Sequence, residues 1–206
     1  MFHGDMLGRR KFLELGTMTL AGLAAGAAIP RYSEAEQIRY PLKSVSDEGT
    51  VLDESKAAKA RRVAEYVITK DKHPGLISYN ANVDPPQENY QRVQAVMVVD
   101  GKRYAVFVIN ANEDAIAMPR DTMHISVRPQ GTTRQEELTT FSDEGLDGIC
   151  NFGIIPAKIS GIDKEIYFNS GVYSSKKPQG LEHKDRFQAL YDKTLDTLIK
   201  FYEKKK

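Results

Sequence analysis

Residues 90–110 contain two runs, Tyr90–Val99 (YQRVQAVMVV) and Arg103–Asn110 (RYAVFVIN), either side of the turn Asp100-Gly101. Asp-Gly supports positive φ at both centres of a two-residue turn, whose twist matches that of the strands it joins. Val93, Ala95, Met97 and Val99 alternate on one side of the first run, and Val96 and Val98 thicken the other. In the second run Tyr104, Val106 and Val108 oppose Ala105, Phe107 and Ile109. A strand solvated on one face shows clean apolar–polar alternation, so a hairpin apolar on both faces belongs at the centre of a sheet.

Further strands are expected on either side of this hairpin. Leu76–Val83 is closed by Asp84-Pro85-Pro86, and Asp121–Val127 turns Met123, Ile125 and Val127 inward. Arg134–Phe141 reads as a polar edge strand, and Ile149–Ile155 and Glu165–Val172 as two more. Ahead of the sheet, Ala57, Ala60, Val63, Ala64, Val67 and Ile68 recur at helical spacing between Asp53 and Lys72, and His73-Pro74-Gly75 stops them. Asp53 is the expected cap, with Lys70 and Lys72 at the negative end of the helix dipole. The chain closes with an amphipathic helix over Glu182–Glu203, whose stripe is Phe187, Leu190, Tyr191, Thr194, Leu195, Leu198 and Phe201. Helix, strands and helix in that order predict an α+β domain. Its antiparallel sheet should have about five to six strands, with a helix before it and the long C-terminal helix packed on one face. Residues 51–206 form that domain, and residues 28–50, with Pro30, Pro41 and Gly49, read as an extended arm or linker.

The 206 residues carry 29 Lys and Arg against 28 Asp and Glu, which leaves no basic field to gather nucleic acid. The single cysteine excludes an intrachain disulfide and any all-cysteine metal centre within this chain. There is no G-x-S-x-G, no C-x-x-C-H and no Gly-rich dinucleotide fingerprint.

The N-terminus carries the clearest message. Gly8-Arg9-Arg10-Lys11-Phe12-Leu13 is followed by a weakly apolar run rich in Ala, Gly and Thr, ending in small residues at Ala25 and Ala27. From Phe12 to Ile29 a helix would reach about 27 Å, marginal against a hydrocarbon core of ~30 Å. Arg9, Arg10, Phe12 and Leu13 in this order resemble the twin-arginine (Tat) export signal. The resemblance covers residues 1–27 and implies export of an already folded protein to a periplasmic or other extracytoplasmic space. Membrane contact is then expected only through this segment, if it is retained. Removing residues 1–27 takes away three positive and two negative charges and leaves 26 of each sign, a neutral balance that offers nothing to a membrane surface.

Within the domain, the stretch Phe141–Phe152 holds the densest set of oxygen side chains. Asp143 and Asp147 lie four apart, Gly148 permits a sharp turn and Asn151 adds an oxygen. Such residues can supply part of a calcium shell, which takes about six to eight oxygens. The stretch is similar to the first half of an EF-hand loop, with Asp at the first and fifth places and Gly at the sixth. It departs at Gly145 and at Ile154, where a bidentate Glu belongs. A plain Asp/Gly surface turn has the same composition. The acidic turn Asn110–Asp114 completes an oxygen cage only if both loops leave the same end of the sheet. Cys150 with His124 as base would be a thiol nucleophile, yet no spacing brings them together, and a cysteine between Ile149 and Phe152 reads as a small buried hydrophobe. His73, His124 and His183 are too scattered to predict a transition-metal site.

The expected function is an exported, non-catalytic binding or accessory domain, with a protein or small-molecule partner held on the open face of the sheet. No cofactor is expected, and calcium is the metal the acidic loop admits. Two alternatives stand beside it: a calcium-dependent hydrolase using Asp143 and Asp147, and a structural subunit exported together with its partner.

Overall fold

The computed structural model describes residues 38, 40–47, 49–70, 73–83, 90–112, 120–133, 137–171 and 177–204. These belong to one compact unit, Ser33–Lys206. The export-signal residues 1–27, the segment 28–37, and Asp84, Glu113, Asp114 and Lys72 lie outside the described residues.

Helix α1 (Glu54–Thr69) leads into β1 (Leu76–Val83), β2 (Tyr90–Val99), β3 (Lys102–Ala111), β4 (Thr122–Pro129), β5 (Thr139–Glu144), β6 (Phe152–Ile155) and β7 (Ile166–Asn169). A short helix, α2 (Ala157–Ser160), lies between β6 and β7, and α3 (Lys184–Glu203) closes the chain. The strands form a seven-stranded sheet in sequence order, each antiparallel to its neighbours. The fold is α+β as expected, with a somewhat larger sheet than the five to six strands anticipated.

The central hairpin forms around Asp100 at φ 48° and Gly101 at φ 71°, and its register runs from Tyr90 opposite Ala111 to Val99 opposite Lys102. Asp53 caps α1 by accepting from Ser55 N at 3.0 Å and Lys56 N at 3.3 Å. The six apolar residues of its stripe are the ones it buries. In α3, Phe187, Tyr191, Thr194, Leu195, Leu198 and Phe201 are buried, Tyr202 joins them, and Leu190 is exposed instead. Both long helices pack on the same face of the sheet. Ala60, Val63, Ala64 and Val67 of α1 and Phe187, Tyr191, Leu195 and Leu198 of α3 share one core with Val93, Ala95, Met97, Val106, Val108, Met123 and Ile125.

Three expectations for the fifth strand need correction. It starts at Thr139, later than expected, and it lies inside the sheet between β4 and β6; the edges are β1 and β7. Ser142, Asp143 and Glu144, expected in a loop, extend this strand. An aspartate at a core-facing position does not read as strand, because a buried carboxyl needs partners that local sequence does not display.

Candidate functional site

The loop 145–151 is held from three sides. Beneath it, Asp143 is fully buried and faces the core. Its Oδ1 accepts from Asp147 N at 3.2 Å, and its Oδ2 accepts from Gly148 N at 3.0 Å and from the Tyr191 hydroxyl at 2.7 Å. Asp147 closes its own turn, accepting from Ile149 N at 2.8 Å. Asn151 accepts from Glu144 N at 2.6 Å. From α3, Gln188 donates to the Gly148 carbonyl at 2.9 Å and accepts from Cys150 N at 3.0 Å. Gly148 has φ 79°, and a Cβ there would overlap the backbone of Lys56 in α1, so glycine is required.

The third side is the arm. Val45 N donates to the Gly145 carbonyl at 2.8 Å, and Ser44 Oγ donates to the Leu146 carbonyl at 2.5 Å. Asp121 ties the arm to the sheet, accepting from Lys43 N and from Ala111 N, each at 2.7 Å. The end of β3 and the acidic loop therefore do leave the same end of the sheet, and Asp121 is the carboxylate that lies between them. Its role escaped sequence reading because both of its donors are main-chain groups, one of them far away in the sequence.

The electrostatics follow from this packing. Burial, then the neighbouring Asp147 charge, pushes the Asp143 carboxyl up to about 8 against the pull of its three donors. Burial also pushes Asp147 up to about 6, with Asp47 adding to it and Arg120 opposing. Arg120 pairs with Asp47 at 3.4 Å. The structure thus gathers Asp143, Asp147 and Asn151 in one loop, and each carries hydrogen bonds that hold the turn in place. Among the described residues, no group of three or more His, Cys, Asp or Glu side chains is arranged to hold a metal ion.

Cys150 and His124 are not brought together. Cys150 sits in the core beneath the helices, where burial and the Asp143 charge push its thiol up, and Sγ lies 3.2 Å from the Phe152 carbonyl. His124 points to the opposite face. His73 packs on Phe201 at 4.4 Å between ring centroids, and His183 lies just ahead of α3.

The opposite face of the sheet is a different surface. Strand alternation and register place Gln94, Phe107, His124, Ser142, Phe152 and Asn169 in one continuous row across six strands. Beside it runs Val96, Ala105, Ser126, Thr140, Ile154 and Tyr167, and beyond that Arg103 stands opposite Arg128. None of these residues belongs to the core cluster beneath the helices. His124 Nδ1 lies 2.7 Å from Ser142 Oγ, and its ring stacks on Phe107 at 6.1 Å. Burial alone pulls His124 down to about 4, so the ring is neutral at ordinary pH. Ser142 is 0% exposed. Three buried polar atoms on this face, Arg103 Nε, Thr140 Oγ1 and Glu144 Oε2, have no hydrogen-bond partner among the described residues. Sequence reading saw the apolar half of this face, Val96 and Phe107, but not the rows, which exist only once the register of all seven strands is set.

No described helix is long and apolar enough to cross a membrane. Compared with protein families, curated proteins and solved structures, the chain matches none.

Proposed function

We propose that the chain is an exported, non-catalytic binding or accessory domain that takes its ligand on the face of the sheet turned away from α1 and α3. The observation that carries this reading is the set of unpartnered polar atoms at Arg103, Thr140 and Glu144, set among half-buried aromatic and apolar side chains. An unsatisfied buried polar group costs about 1–3 kcal/mol, and this face keeps three among the described residues against two on the helix side, Asn110 Oδ1 and the Tyr202 hydroxyl; a ligand that supplies the missing partners would recover that cost. Ligand sites have this mixture of apolar area and a few convergent polar groups. The export half of the proposal rests on Arg9, Arg10, Phe12 and Leu13, whose order resembles the twin-arginine signal.

Binding is tested by screening small molecules for their effect on the melting temperature of the chain and of two variants. Compounds that stabilise the wild type should lose their effect in Phe107→Ala and keep it in Lys59→Ala, which changes the outer side of α1. Hits that ignore Phe107, or no hits, overturn the reading. Export is tested by fractionating cells that express the chain with Arg9 and Arg10 replaced by Lys. The protein should remain in the cytoplasm, and unchanged export removes the assignment.

A further inference from the structure

Building on the binding reading just given, we infer that Arg103 and Arg128 form an anion site on the second face, for a small molecule carrying a carboxylate or phosphate group. The two arginines are direct cross-strand partners in the β3–β4 register. Each alternates with a core residue, Tyr104 or Val127, so both project from the same side. Like charges directly opposite on a sheet repel and weaken it. Arg128 is only 7% exposed, and no carboxylate among the described residues forms an ion pair with either arginine. Arg103 Nε is buried and makes no hydrogen bond. Burial and the neighbouring Arg103 both loosen the Arg128 proton, the signature of a cation without its counter-ion.

An oxyanion resolves all of these costs at once. It cancels the repulsion, and its oxygens accept from two planar guanidinium forks, the arrangement that suits carboxylates and phosphates. The neighbouring row contributes a further group. Ser126 lies two residues from Arg128 on β4 and pairs with Thr140, whose hydroxyl is buried without a partner. Val98, directly opposite Arg103, supplies an apolar flank for the body of the ligand.

Calorimetric titration of the folded chain with sodium phosphate and with sodium benzoate, against sodium chloride, tests the site. The first is a bare tetrahedral oxyanion and the second a carboxylate on an apolar body, so the two arms identify the source of the charge. One of them should bind at one site per chain, and Arg128→Gln should weaken it about tenfold or more, the loss expected for a charge-assisted hydrogen bond. Arg103→Gln, at a half-buried position, should do the same and keeps the test open if the first variant does not fold. Without ligand, either variant removes one of two repelling charges and should melt no lower than the wild type in chloride. Absence of oxyanion binding, or binding indifferent to both variants, overturns the site. Small molecules that depend on Phe107 but on neither arginine overturn the anion site and leave the binding face standing. If no compound depends on Phe107 and no oxyanion depends on either arginine, both readings fall.

Discussion

Beneath the helices, the sheet meets Phe187, Tyr191 and the small residues of α1, and its side chains are almost all apolar and fully buried. On the other side, the same seven strands present His124, Ser126, Ser142, Thr140, the arginines Arg92, Arg103 and Arg128, and half-buried aromatics. The backbone is shared, so the difference lies wholly in the alternate residues of each strand. The helix side is covered by α1 and α3, and keeps two buried polar atoms without a partner among the described residues, Asn110 Oδ1 and the Tyr202 hydroxyl. The other carries polar atoms whose partners the described residues do not supply. Stability is thus expected to reside on the first face and recognition on the second.

The strongest way to break that division is a matched pair of substitutions. Phe187 is fully buried, stacks on Phe168 at 5.5 Å and meets Phe141 edge to face. Phe187→Ala should cost about 3–5 kcal/mol, the range for a core aromatic truncated in a close-packed site. Phe107 is half-buried and stacks on His124. Phe107→Ala should cost about 1–2 kcal/mol, since it removes less buried area. Urea unfolding midpoints measure both. Equal losses would mean that the second face is as much a core as the first.

The next contrast is in pH. Asp143 keeps its proton in the folded state up to about 8, whereas in the unfolded chain it releases it near 3.8. Between those values the folded state binds more protons, so stability is full below the lower value and falls as pH rises through the upper one. Asp147 adds to the fall only up to about 6. The decline between pH 6.5 and 8 therefore belongs to Asp143. Melting temperatures should drop across that interval, and Asp143→Asn should flatten the drop while lowering stability throughout, because an amide cannot accept from all three donors. A wild type with no slope there would place the ionised carboxylate in the core.

What was readable in advance follows the same division. The turn at Asp100-Gly101 and the α1 stripe are local patterns, and they fold as their spacing predicts. The end of β5 reads as loop in the sequence because Asp143 occupies an inward position, and its partner Tyr191 is distant in sequence. Leu190 fits a helical stripe, yet it stands exposed in the folded chain. The acidic loop was singled out for its oxygens, and its hydrogen bonds depend on Gln188 and the arm, which no local window contains. The Arg103–Arg128 pair was invisible for the plainest reason. Each arginine is an ordinary strand residue until the β3–β4 register sets them side by side.

The last contrast separates the faces most directly, because it has the opposite sign. His124 is neutral in the folded state down to about 4, whereas in the unfolded chain it takes up a proton near 6.5. Its contribution is present above 6.5 and is lost as pH falls toward 4, so it makes stability rise with pH where the aspartates make it fall. In the wild type these trends offset each other between pH 4 and 6.5. His124→Gln keeps a polar side chain near Ser142 but cannot take up a proton. The variant should therefore show a steeper decline over that interval and an unchanged one above it. Melting curves at half-unit steps of pH measure the change, and a profile that does not move below 6.5 would mean that the second face holds no buried histidine. Since the ring stays neutral above 5, the positive charge that the described residues give this face comes from arginines, and the affinity for benzoate, whose own charge is constant there, should be flat from pH 6 to 8 while stability falls.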